Sequence, residues 1–175
     1  MNMMRSRTEA VTMTASLTAV GLILSYLETF IVIPVNVPGI RLGLANIVTL
    51  LALYLLGPSY AFPVTIIRVS LAAMLFGSPV SFMYSIAGGI FSFAGMVISK
   101  RLGFSVYGVS VIGAVAHNIA QTVVAVLFIA NVYIFAVLPV LVIAGIIAGL
   151  LTGLCASVLM KRLVSILHIG DKKER

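Results

Sequence analysis

The feature that most constrains this chain is its succession of apolar runs, each near the length needed to cross a bilayer. A helix rises about 1.5 Å per residue and a hydrocarbon core is about 30 Å thick, so roughly 20 apolar residues span it. Turn signals separate the runs: Gly57-Pro58-Ser59, Gly77-Ser78-Pro79, Lys100-Arg101-Leu102-Gly103 and a polar break at Asn131. The pattern predicts helices at about 11–30, 43–56, 60–76, 80–99, 104–129 and 133–160. The second is short for a span. A basic tail occupies 161–175, with Leu163 to His168 extending the last helix along the headgroups. A backbone in lipid must satisfy its own hydrogen bonds, and the short alternating segments of a β-barrel are absent. The expected fold class is therefore all-α, a polytopic six-helix bundle forming a single membrane domain over residues 1–175. The first run is long enough to span and no clear cleavage site follows it, so it reads as a helix rather than a signal peptide.

Composition sharpens the exclusion of soluble folds. Only 9% of residues are charged, against about 25% in soluble domains. The net charge of +7 is not read as nucleic-acid binding, because the charges lie at helix ends, where they set topology and meet anionic membrane lipid. Arg5, Arg7, Lys100, Arg101, Lys161, Arg162, Lys172, Lys173 and Arg175 all fall on one side of a six-span bundle. The positive-inside rule places that side, with both termini, in the cytoplasm, and Arg41 outside. The single cysteine, Cys155, sits in an apolar helix and is expected to be inert packing.

Polar groups inside such a chain are costly unless something uses them. Val37 to Leu50 opens on the turn signal Pro38-Gly39, places Arg41 at a helix mouth, and carries Asn46 and Thr49 on one helix face. Arg68 lies near the middle of the third span, where a charge costs at least about 2.5 kcal/mol on insertion scales. It either pairs with Glu28, near the outer end of helix 1, or meets an anionic ligand. Helix 5 carries His117, Asn118 and Gln121 within about one turn, as interhelical hydrogen-bonding groups or as ligand contacts. Glu28, Arg41, Asn46, Thr49, Arg68, His117, Asn118 and Gln121 all map to the midplane or the outer half, as a cavity open to the outside requires.

Small residues form stripes: Ala15 and Ala19 in helix 1, then Gly21 and Ser25; Ser85 and Gly89 in helix 4; Gly145, Gly149 and Gly153 in helix 6. They let backbones approach closely, either within the bundle or against another membrane protein. The two turns Gly57–Phe62 and Gly77–Phe82 resemble each other but are too short to establish a repeat.

Catalysis finds no support. Prenyl transfer on diphosphates needs clustered carboxylates to hold magnesium, and Asp171 is the one aspartate. No phosphate-binding Gly-x-x-x-x-Gly-Lys-Ser/Thr loop exists. His117 has no second ligand at metal-binding spacing, so neither metal nor cofactor is expected. A redox subunit handling quinone or flavin is a minor third class, with His117 the one intramembrane candidate to ligate a haem.

Residues Pro38 to Leu50 resemble the signature of a small bacterial membrane family known both as the Gx transporter family and as heptaprenyl diphosphate synthase component I. Gly77-Ser78-Pro79-Val80-Ser81-Phe82 and Gly113-Ala114-Val115-Ala116-His117-Asn118 are similar to that family too. The family in turn resembles the S components of energy-coupling factor (ECF) transporters, six-helix subunits that bind vitamins. The resemblance implies a bacterial plasma membrane, a small-molecule substrate taken from outside, and docking on a transmembrane coupling subunit driven by two ATPases. Ala15 and Ala19 match the Ala-x-x-x-Ala pattern of the S-component docking helix. The other family name implies a non-catalytic membrane partner of a soluble prenyl diphosphate synthase.

Overall fold

The computed structural model describes residues 7–30 and 44–173. Its helices are α1 (Arg7–Glu28), α2 (Asn46–Leu55), α3 (Pro58–Phe76), α4 (Pro79–Arg101), α5 (Val106–Ile129) and α6 (Leu138–Lys173). A 3-10 segment, Val132–Val137, leads into α6. Five stretches are long and apolar enough to cross a membrane. The protein is a multi-pass membrane protein of all-α class.

Local chemistry fixes the helix ends. Pro58 and Pro79 stand at the first positions of α3 and α4, where a missing N–H costs nothing. The Ser78 hydroxyl accepts from Ser81 N at 3.1 Å and the Ser105 hydroxyl from Gly108 N at 3.3 Å, capping α4 and α5. At the far end of α4, Gly103 takes a φ of +83°. Gly103 N then donates to Lys100 O at 3.2 Å and Phe104 N to Ser99 O at 3.1 Å. Such a left-handed closing residue favours glycine.

Several boundaries differ from the sequence reading: α1 begins at Arg7 rather than near 11, and α6 at Leu138, after the 3-10 segment, rather than at 133. The last helix does not stop near residue 160 but runs on to Lys173, so the basic tail begins as helix. The second helix has only 10 residues, about 15 Å, half a hydrocarbon core. It is the centre of the molecule rather than a full span. α2 packs against α1, α3, α4, α5 and α6, while α3–α4, α4–α5 and α5–α6 are sequential neighbours and α1 lies against α3. Val48, Leu50, Ala52 and Leu53 of α2 are wholly buried. In lipid such burial brings little hydrophobic gain, so close packing and hydrogen bonds must hold the helices together.

Glycines supply that closeness. A Cβ at Gly149 would lie 2.6 Å from Val111 Cα, and one at Gly153 would lie 3.1 Å from Tyr107 Cα. The α6 stripe is thus the α5–α6 contact rather than a surface for another protein. Ala15 and Ala19 are exposed on α1. Cys155 is exposed as well, so it does not pack in the interior as expected from its apolar helix.

Candidate ligand site

Arg68 is the hub. It is 4% exposed on α3, and its guanidinium reaches two other helices. Nη1 donates to Ser25 Oγ of α1 at 3.3 Å and Nη2 to Asn46 Oδ1 of α2 at 3.1 Å. Gly21 makes this possible, since a Cβ there would fall 2.6 Å from Arg68 Cδ. One turn along the same α2–α3 interface, Thr49 and Thr65 share a hydrogen bond at 2.8 Å, and Thr65 also donates to Ala61 O at 2.9 Å. Asn46 and Thr49 are three apart on α2, and Thr65 and Arg68 are three apart on the antiparallel α3. Equal spacing on facing helices pairs them rung by rung.

Glu28, buried at the end of α1, accepts from Leu44 N at 3.0 Å, just ahead of α2. A carboxylate there meets the exposed amides and positive end of the helix. On α5, His117 Nε2 and Gln121 Nε2 are 2.7 Å apart. The direction of this hydrogen bond depends on the imidazole tautomer. The imidazole occupies the space left by the missing Cβ of Gly88, where an added carbon would lie 2.7 Å from Cε1.

These groups enclose a cavity of about 20 Å³ lined by Ser25, Glu28, Arg68, Val69, Ala72, Ser85 and His117. That volume suits one water, which needs roughly 10–15 Å³. Organic ligands need about 300–1,000 Å³. The polar cluster is therefore closed, with Arg68 held by neighbouring helices. Among the described residues, Asn46 Nδ2, Ser85 Oγ and Asn118 Oδ1 are buried atoms without a hydrogen bond.

Of the residues singled out in the sequence, Glu28, Arg68 and His117 meet at this cavity, with Asn46 bonded to Arg68 and Gln121 to His117. Thr49 and Asn118 do not line it. Thr49 is engaged with Thr65, and Asn118 Nδ2 donates to Leu141 O at 2.7 Å in the α5–α6 seam, under Gly145. Arg41 lies outside the described residues, as do Pro38 and Gly39. Ser25 and Ser85 join the site although the sequence suggested only small packing positions. The matched three-residue spacing of Asn46–Thr49 and Thr65–Arg68 was the available signal for Thr65. No group of three or more His, Cys, Asp or Glu that could hold a metal occurs among the described residues.

The chain is an all-helical membrane bundle around a half-length central helix, with a closed polar cluster at the α2 N-terminus. A solved structure of the S component of a bacterial ECF transporter matches it with a TM-score of 0.67 at 18% identity, covering 93% of this chain and 99% of that one. The heptaprenyl diphosphate synthase component I family matches residues 17–159, and the chain belongs to that family. No curated protein sequence is detectably similar to it.

Proposed function

We propose that this chain is the substrate-binding membrane subunit of an ECF-type uptake transporter, not an enzyme. The observation that carries the proposal is the convergence of Arg68, Glu28, Ser25, Ser85 and His117 from four helices on one buried cavity. Such a cluster is costly in lipid unless it is used. Its ligand is a small molecule with an acidic group and an apolar or aromatic body. The acidic group takes Arg68 from its present partners, Ser25 and Asn46 among them, and the cavity enlarges as α1 and α2 move apart from α3. Glu28 keeps the mouth selective by repelling ligands whose acid is not matched to Arg68. The basic end of the bundle lies in the cytoplasm, so the Glu28 end faces outward.

A subunit of this kind has no energy source. It docks on a transmembrane coupling subunit with two ATPases, and the exposed Ala15–Ala19 face of α1 is the contact. The second reading is a non-catalytic membrane component of heptaprenyl diphosphate synthase, which the family's description favours. Affinity purification from the native host discriminates them. Recovery of a coupling subunit with ATPases, lost in Ala15→Leu or Ala19→Leu, supports transport. Recovery of a soluble prenyl synthase alone, with altered prenyl chain length when this chain is deleted, establishes the other reading.

A further inference from the structure

The closed cavity is far too small for the ligand, so the apolar body must lie elsewhere. A groove of about 490 Å³ opens at the α3–α4 turn, lined by Ser70, Ala73, Met74, Ser78, Pro79 and Phe82. This volume falls in the range that organic ligands fill, about 300–1,000 Å³. Met74 is 81% exposed, so the groove opens on the outer surface of the bundle, where the protein meets lipid.

The groove and the cavity use the same two helices, and on α3 they take consecutive residues on neighbouring faces. On α3, Val69 and Ala72 line the cavity while Ser70 and Ala73 line the groove. On α4, Ser85 lines the cavity and Phe82, one turn away, lines the groove. The seam between the helices is tight at Gly89, where a Cβ would lie 3.2 Å from Val69 Cγ2 and 3.3 Å from Thr65 Cγ2. Ser85, 7% exposed, lines the cavity, and its buried hydroxyl makes no hydrogen bond among the described residues.

We propose that the α3–α4 groove receives the apolar body of an amphiphile drawn from the bilayer, whose acidic head passes Ser85 to reach Arg68. This rests on the ligand-binding reading above and adds the route and the chemical class. The energetics follow from the medium. An apolar body moving from lipid into a protein groove gains little, because lipid tails are as apolar as the groove. Affinity must then come from the head: a charge-assisted bond to Arg68 and a hydrogen bond from Ser85. The groove selects shape and the head supplies strength.

A single-chain carboxylic acid bearing a diazirine, and its methyl ester, test this with the full chain in phosphatidylcholine nanodiscs. The acid should photolabel the segment from Ala73 to Phe82 at least about tenfold more than the ester, the size of one lost charge-assisted contact. Arg68→Gln should reduce acid labelling to the level of the ester. Ala73→Phe, which fills the groove, should abolish it. Met74→Trp, at an exposed position that leaves the fold intact, should weaken it and covers the case in which Ala73→Phe does not fold. Equal labelling by acid and ester, spread around the bundle, overturns the proposal and leaves only bulk lipid at the groove. Acid labelling that needs Arg68 but falls elsewhere, and ignores both groove variants, overturns the groove while the transport reading stands. Acid-selective labelling of the groove that persists in Arg68→Gln overturns the assignment of the head to Arg68, and with it the ligand site.

Discussion

Lys100 Nζ, from the last turn of α4, donates to the Leu53 carbonyl oxygen of α2 at 2.7 Å and lies 4.3 Å from the centre of the Tyr54 ring. Leu53 is among the last carbonyls of a helix that ends at Leu55, so it has no partner within α2. At the other end of α2, Glu28 accepts from Leu44 N. The central helix is thus held at both ends by side chains of opposite charge, each matching the sign of its dipole. Lys100→Met should lower the stability of the purified protein by about 1–3 kcal/mol, the effect of leaving a buried carbonyl unpaired. Thermal unfolding in detergent measures it. Hydrogen exchange should accelerate first in α2; an unchanged exchange rate there would sink the clamp.

Gly88 and His117 make a sharper test, because the sign of one substitution should depend on the other. Gly88→Ala places a carbon 2.7 Å from His117 Cε1, so the imidazole must turn and lose its bond to Gln121. Overpacking of this kind costs about 1–3 kcal/mol. In a His117→Ala background the clash with the imidazole is gone, only the 3.1 Å approach to the flexible Gln121 Cγ remains, and alanine gains about 1 kcal/mol of helix propensity over glycine. The double-mutant cycle should therefore give strong coupling, read by thermal unfolding. Additive effects would mean that the imidazole does not occupy this space.

The two small-residue stripes should respond in opposite ways. Gly149→Ala drives a carbon to 2.6 Å from Val111 Cα, a backbone atom that cannot turn aside, so α5 and α6 must separate. Loss of about 1–3 kcal/mol is expected. Ala15→Leu and Ala19→Leu sit on exposed α1 positions and should change stability by less than about 0.5 kcal/mol. If the Ala15 and Ala19 variants unfold the monomer, α1 is not a free docking face.

The helical class was legible because membrane length and turn chemistry leave few alternatives. The centrality of α2 was not. A run of ten mostly apolar residues reads as a short span, and only the contacts reveal that its neighbours surround it. Arg68 was legible as a site residue because a charge in mid-helix has to be explained. Its partner Ser25 was not, since a serine beside glycine and alanine looks like packing. Asn118 misled for the opposite reason: it is three residues from Gln121, but its side chain turns into the α5–α6 seam and bonds Leu141 O. Spacing along one helix fixes which face a residue takes, and says nothing of which neighbour covers that face.

Topology is testable independently of any ligand. With Cys155 replaced, a Gly39→Cys variant should react in intact cells with a membrane-impermeant maleimide, and cysteines at Arg101 or Lys161 only after permeabilisation. The reverse pattern would invert the bundle and place the Glu28 end in the cytoplasm, which removes the uptake reading.

The last prediction separates a structural Arg68 from a functional one. In the closed structure its guanidinium ties α3 to Ser25 on α1 and Asn46 on α2, with both acceptors neutral. A charge buried in lipid is costly unless it is held by partners or used by a ligand. Arg68→Gln keeps a donor for Asn46 but removes the charge. If Arg68 serves the ligand, affinity of the surviving folded protein for an acidic ligand should fall by more than roughly tenfold, about 1.4 kcal/mol or more, whatever the change in thermal stability. Gln121→Ala should weaken binding by less, since it acts by holding His117 and does not line the cavity. Arg68→Lys should not restore binding where the contact uses both nitrogens, because an ammonium cannot reproduce the planar fork. If Arg68 only joins α1, α2 and α3, stability should fall and the surviving folded protein should bind as before. Affinity and thermal unfolding measured on the same purified variant decide between the two.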